Sequence, residues 1–372
     1  MVNRRILRIK ALQALYANEK GREALYNMGL QYFDEVFNPV LFDEPDKDQL
    51  KDQKNESKRL FSKHFEDDKP KFEASTDFVS EKVTEAIDTY QGGVTKEAAG
   101  NRKEMLKELN DINGTFLSII GLLIDLSRIS EDFKKKNLGK NKAVNLLRGD
   151  GGMERRLEDS SIRWSQHYDT VRGWFRDIVG KTDQYLAYEE IESPSFEDDK
   201  TILNQIVKKI LFKNESIQDF LEEKDMRWGE NKAIVKSLVT KSIKDLEDGQ
   251  KVELRPISYN WEEDVEFFEK LYIETLKRED VLEPVIAENS RNWEYERIAA
   301  VDKIILRMAL TEMIIFPSIP IKVTINEYLE IAKQYSTPKS KQFINGVLDI
   351  TAKKLIDEGV IKKSGRGLID NK

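Results

Sequence analysis

The sequence contains no cysteine. Disulfides, thiolate zinc sites, iron–sulfur ligation and cysteine nucleophiles are excluded together, and the chain suits a reducing compartment. Histidine is nearly as scarce, with two residues, His64 and His167, in 372. Neither has a nucleophile or metal-ligand partner nearby in sequence, so no catalytic residue, metal or cofactor is expected. Long apolar runs are missing as well. The longest apolar patch, Phe116 to Leu126, is broken by Ser118, Gly121 and Asp125, whereas a membrane span needs roughly 20 predominantly apolar residues. A buried helix is expected there, and no membrane partner. The opening Met-Val-Asn-Arg-Arg-Ile-Leu-Arg is charged but has neither the apolar stretch nor the cleavage site of a signal peptide. A cytoplasmic location is expected. No alternating strand pattern is found, and Gly149-Asp-Gly-Gly fits neither a dinucleotide fingerprint nor a P-loop.

What is present is charge and helical periodicity. The chain is 39% hydrophobic and 35% charged, with a net charge of −7. A net negative charge argues against nucleic acid only when charge is evenly spread. Here Arg4, Arg5, Arg8 and Lys10 open the chain with no acid among the first ten residues, and residues 351–372 lean basic.

Apolar spacing predicts an all-α chain. A first helix covers 4–18, with Leu7, Ala11, Ala14 and Leu15 on one face, and its pattern weakens towards Pro39. The N-terminal helices are assigned to 1–42. Residues 43–102 form a polar insert that reads either as a solvated helix or as a disordered segment, because so few apolar residues offset little ordering entropy. Within it, Gln91-Gly-Gly and Ala99-Gly-Asn read as a loop. Residues 103–290 form a helical expansion, beginning with a strong helix at about Lys103 to Lys135. A C-terminal helical block occupies 291–358, and 359–372 reads as a basic flexible tail.

A motif repeats along the expansion and at the start of the C-terminal block: Ile162-Arg-Trp164, Met226-Arg-Trp228 and Arg291-Asn-Trp293. Three base-stacking platforms are one reading. Tryptophans stapling helix entrances are the other, and the constant offset from the helix start favours the staple.

In the C-terminal block, a helix runs from Trp293 to Phe316 until Pro317 and Pro320 end it. Thr324-Ile-Asn-Glu327 reads as a capping box, and Pro338 opens the last helix. Asn345-Gly346 inside that helix costs about 1 kcal/mol relative to alanine, which suggests close helix–helix approach.

Two groups could meet an anion. Arg4, Arg5 and Arg8 fall on an exposed side of the first helix. Their planar forks suit phosphate, and their charge opposes the helix dipole, which an anion would relieve. A solvated face explains them equally. Tyr16, two turns on, could stack a base or pack in the core. Lys339, Lys341 and Gln342 lie in the first turn of the last helix, where free amides point at anions.

Two blocks carry a resemblance. One is Arg4-Arg5-x-x-Arg8-x-x-Ala11-Leu12-Gln13-Ala14-Leu15-Tyr16. The other runs from Val301-Asp302-Lys303 and Leu306-Arg307 through Ile319-Pro320-x-Lys322-Val323-x-Ile325-Asn326-Glu327 and Ala332-Lys333 to Phe343-Ile344-Asn345-Gly346-Val347-Leu348-Asp349. In order and spacing they resemble the NusB family of transcription antitermination factors. The middle of the chain looks like that of the expanded Bacteroidetes-type homologues. The resemblance implies a NusB-like helical bundle enlarged by a long helical insertion. It also implies pairing with the small-subunit ribosomal protein that acts as NusE, and binding of boxA-type single-stranded RNA. The pair would join the RNA polymerase antitermination complex, notably in ribosomal RNA transcription. Arg4, Arg5, Arg8, Tyr16, Lys339, Lys341 and Gln342 are then the expected RNA contacts, and Asp302 and Arg307 the expected partner contacts. Thr337-Pro338-Lys339-Ser340 departs from the family, where this stretch is often acidic; a lysine there should strengthen phosphate attraction. One alternative is a helical interaction module that has lost RNA binding. The other, part of an RNA cytosine methyltransferase system, would need the catalytic cysteines and α/β cofactor domain that are missing here.

Overall fold

The computed structural model describes residues 4–43, 46–66, 73–133, 137–290 and 297–371. Helices account for its regular structure, and no strand occurs among the described residues. The chain opens with α1 (Arg4–Val36), α2 (Lys47–Glu66) and the 54-residue α3 (Asp77–Ser130). A run of shorter helices follows: α4 (Asn137–Lys140), α5 (Lys142–Gly149), α6 (Met153–Glu158), α7 (Tyr168–Asp177), α8 (Asp183–Glu189), α9 (Phe196–Gln205), α10 (Glu215–Lys224) and α11 (Trp228–Lys244). The C-terminal part holds α12 (Trp261–Lys277), α13 (Glu279–Asn289), α14 (Ala300–Ile315), α15 (Ile321–Tyr335) and α16 (Ser340–Asp357). Two compact units result. A split unit joins Arg4–Met105 to Val265–Lys372, and an inserted unit spans Leu106–Asp264.

In the split unit, α14 is apolar nearly all round and buries Ile304, Ile305, Leu306, Met308, Ala309 and Leu310, as a helix covered on several sides must. α15 and α16 pack on it and on each other, while α1 lies against α14 and α15. Pro317 and Pro320 separate α14 from α15. α14 starts at Ala300, later than the apolar pattern suggested, and Trp293 lies outside the described residues.

The polar insert is organised where it is described. α2 buries a narrow stripe of Leu50, Leu60 and Phe61 against Phe33 and Phe37 of the α1 end and Val79, Val83 and Ile87 of α3. A few large side chains suffice because they fall at helical spacing on one side of a charged helix. Gly29 permits this approach, since a Cβ there would sit 2.4 Å from Cζ of Phe61. The glycines at 92, 93 and 100 make no loop, and α3 runs through all three. At Gly93 the reason is packing: a Cβ would come within 2.8 Å of Cδ2 of Leu25 on α1. α3 is also long and apolar enough to cross a membrane by length and composition, but 83% of its apolar window is buried in the protein.

The two tryptophans of the repeat that are described sit at helix entrances in the inserted unit. Trp164 is buried and its Nε1 donates to Ser118 O at 2.6 Å; Trp228 is fully buried and donates to Gln218 Oε1 at 3.0 Å. Neither ring can stack on a base.

Gly346 does not serve close helix approach. A Cβ there meets nothing within 4 Å, and Asn345 donates within its own helix, to Asp349 Oδ2 at 2.9 Å. Gly346→Ala is therefore expected to raise unfolding free energy by about 0.5–1 kcal/mol, the helix-propensity difference. Urea denaturation of the full chain checks this, and a destabilised variant would contradict the open environment. The C-terminal stretch folds back onto the α14–α15 turn: Ser364 N donates to Pro317 O at 3.0 Å, and Lys363 Nζ to Phe316 O at 3.1 Å.

Candidate nucleic-acid interface

The first turns of α1 reach α14 and α15 through their arginines, and the three arginines do three different things. Arg8 is not on an exposed face: it is 3% exposed, and its Nε and Nη2 donate to Glu312 Oε2 and Oε1 at 2.7 and 2.8 Å. Glu312, fully buried on α14, also accepts from Thr324 Oγ1 at 2.9 Å and Tyr328 OH at 3.1 Å. Every oxygen of this buried carboxylate is thus bonded, the condition under which a charge is tolerated inside a protein. Burial alone would lower the Arg8 pKa, yet the Glu312 bonds hold it above the usual value. Burial, reinforced by the Glu312 charge, raises the Tyr328 phenol well above its ordinary range. Thr324 and Glu327 do not form a capping box. α15 already begins at Ile321 behind Pro320, so Thr324 lies inside the helix and faces Glu312.

Arg5 lies at the surface, with 45% of its side chain exposed, and holds Glu327 through two bonds of 2.8 Å. These bonds pull the Glu327 carboxyl below its usual value. Arg8 Nη1 reaches the same carboxylate at 3.6 Å. Arg4 places its guanidinium over the Phe267 ring at 5.1 Å, and Arg8 lies at 5.5 Å from that ring. Phe267 in turn packs on Phe316, with centroids 4.8 Å apart. Further along α15, Lys333 pairs with Glu330, whose carboxyl is lowered by Lys333 first and then by Lys341 and Arg5. Arg5, Glu327, Glu330, Lys333 and Lys341 therefore form one charged neighbourhood linking α1, α15 and the first turn of α16.

Lys339 and Gln342 are exposed beside Lys341, although Pro338 and Lys339 stand in the turn just before α16. Tyr16 is 39% exposed, so it is a surface side chain rather than a core one. Asp302 is buried and accepts from Ser336 Oγ at 2.5 Å and Ser340 Oγ at 2.6 Å, fixing the turn that presents Lys339. Arg307 is 4% exposed and pairs with Glu19, Glu279 and Glu283, joining α14 to α1 and α13. Neither Asp302 nor Arg307 presents its charge on the surface, because each is buried and bonded to partners inside the split unit.

Glu312, Thr324, Tyr328 and Phe267 do not stand out as site residues in the sequence. Only Glu312 gives a signal, as the lone acid in the apolar run from Ile304 to Ile315. Among the described residues no group of three or more His, Asp or Glu could hold a metal ion.

A family profile described as the NusB family matches residues 234–353, which include α12 to α15 and most of α16. A transcription antitermination protein NusB from Dictyoglomus turgidum is 40% identical over 127 residues, covering 34% of this chain and 84% of that protein. This chain belongs to the NusB family. A NusB antitermination protein from Salinibacter ruber is 48% identical over 104 residues, 28% of this chain and 65% of that protein. One from Chloroherpeton thalassium is 51% identical over 85 residues, 23% of this chain and 40% of that protein. The chain thus matches less than two thirds of the length of these last two relatives. No solved structure gives a significant match. The NusB profile covers the α14–α16 side of the charged neighbourhood, while α1 lies outside the matched segment.

Proposed function

We propose that this NusB-family chain is a non-catalytic, RNA-binding transcription antitermination factor acting in the cytoplasm. In this reading it pairs with the small-subunit ribosomal protein that acts as NusE. It binds boxA-type single-stranded RNA and joins the RNA polymerase antitermination complex, notably on ribosomal RNA genes. The observation that carries the reading is the convergence of Arg5 on α1 with Lys333 on α15 and Lys341 on α16 around Glu327 and Glu330. Arg4, Arg5, Lys339, Lys341 and Gln342 are the proposed RNA contacts, and Tyr16 offers an exposed ring for a base. Arg8 acts through position, holding the start of α1 on α14 and touching Glu327. Asp302 and Arg307 support the partner surface from within.

The test is a titration of labelled boxA RNA with the protein and the purified ribosomal partner at several salt concentrations. Arg4, Arg5 and Lys341 replaced together by alanine should weaken binding at least about 10-fold. The slope of log affinity against log salt should flatten by about 2, from three phosphates no longer neutralised at about 0.7 each. Unchanged affinity and slope would overturn the assignment.

A further inference from the structure

Two stretches of the inserted unit carry cations without a single acid. Residues 200–214 hold Lys200, Lys208, Lys209 and Lys213, and residues 231–244 hold Lys232, Lys236, Lys241 and Lys244. Acids stand only at the ends, at Asp199 and Glu215 and at Glu230 and Asp245. This contrasts with a chain whose net charge is −7.

The fold brings the two stretches side by side. α9 and the π-helical turn after it, Ile206–Leu211, both pack against α11. At one end Lys200 Nζ donates to Lys244 O at 3.3 Å and to Leu246 O at 3.2 Å. At the other, the Phe212 ring contacts Trp228 and lies under Lys236 Nζ at 5.9 Å. The helices therefore run antiparallel, and each buries its apolar side: Ile202, Leu203, Ile206, Val207 and Ile210 on one, Val235, Leu238, Val239 and Ile243 on the other. Lysines of the π turn and of α11 stand outside these buried stripes. Lys208, Lys209, Lys213 and Lys241 are exposed, and Lys232 and Lys236 are partly so. Among the described residues none of these six forms an ion pair, although paired lysines and arginines are common elsewhere on this surface. Lys208 and Lys209 sit in the π turn, where Phe212 N bonds Val207 O at 3.1 Å. Such turns are rare and concentrate at functional sites.

We propose that the lysines of the π turn and α11, with Lys213 just after the turn, bind the phosphate backbone of RNA, through residues distinct from those of the arginine–lysine neighbourhood of the split unit. Lysines without ion pairs supply the sequence-independent attraction that a polyanion needs. Within α9, the π turn and α11 stands none of the large exposed apolar side chains of the protein, although Met226, just before α11, is exposed. Protein interfaces use such anchors at their centre, and interfacial helices insert them into lipid. Their absence here favours a nucleic-acid backbone over an acidic protein or a membrane. The proposal goes beyond the boxA reading and does not depend on it.

The experiment uses the full chain and a fluorescent uridine oligonucleotide of about 20 residues, a probe without sequence information, titrated across salt. The variant Lys208→Gln, Lys209→Gln, Lys213→Gln, Lys232→Gln, Lys236→Gln and Lys241→Gln should bind at least about 10-fold more weakly. Its salt slope should fall by about 2–4, at about 0.7 for each phosphate no longer neutralised. The matching lysine-to-arginine variant should keep both affinity and slope, which separates charge from folding. The Arg4, Arg5 and Lys341 alanine variant should retain the lysine-dependent part of binding. The proposal is overturned if the glutamine variant binds like the unmodified protein, or if the unmodified protein does not bind the oligonucleotide. Equal or tighter binding to polyglutamate or phosphatidylserine vesicles would overturn it too.

Discussion

Arg8→Ala should destabilise the protein by about 3–5 kcal/mol, the range for removing one partner of a buried ion pair. The loss is large because the guanidinium leaves behind a fully buried Glu312 carboxylate, not because the pair is strong. Thr324 and Tyr328 would still donate to that carboxylate, but two neutral hydroxyls cannot replace a bidentate cation. Arg8→Lys should recover only part of the loss, since one ammonium cannot meet both carboxylate oxygens with the same fork. The double variant Arg8→Met with Glu312→Gln should recover most of it, because no buried charge is then unpaired while the hydroxyls keep an acceptor. Urea midpoints of the four proteins decide the matter. A cost below about 1 kcal/mol for Arg8→Ala would mean that the pair behaves as a solvated one. The same series separates structure from recognition, because a direct RNA contact at Arg8 would lower affinity without moving the midpoint.

Trp228→Ala should cost about 3–5 kcal/mol, the usual penalty for truncating a large buried aromatic. The indole is enclosed where α11 begins, against Phe212, and its Nε1 bonds Gln218 Oε1. Gln218 passes the connection on, donating to Leu211 O at 2.6 Å. Trp228→Phe should cost about 1–2 kcal/mol, since it keeps most of the ring packing but strands the Gln218 oxygen. Tryptophan fluorescence and limited proteolysis within 106–264 report the loss. Had the repeat served base stacking, the alanine variant would weaken RNA binding while leaving the urea midpoint unchanged.

How much was legible in the sequence follows from what each signal measures. Apolar spacing gave α14 and α15 and the turn at Pro317 and Pro320, because burial and helix-breaking are local properties. It also foresaw the buried side of α1. The arginine triplet was harder. A helical wheel puts Arg8 near Arg4, which is exposed, but does not say that Arg8 itself turns inward, since the acid that makes its burial tolerable lies on another helix. Glycine misled in a related way. Gly93 weakens a helix in isolation, yet here it admits Leu25, a neighbour that only the fold supplies. In the region around α2, low hydrophobicity hid a small core that depends on the placement of a few large rings rather than on average composition.

The Arg8–Glu312 pair joins residues 304 positions apart, and this separation sets the order of assembly during synthesis. At about 5–20 residues per second, α14 leaves the ribosome roughly 15–60 s after α1. Throughout that interval the inserted unit can complete its own contacts, whereas α1 lacks α14 and α15, two of the helices it packs against. The split unit closes last, by capturing a helix made first, and a nascent chain stalled before α14 would present an apolar stripe suited to a chaperone.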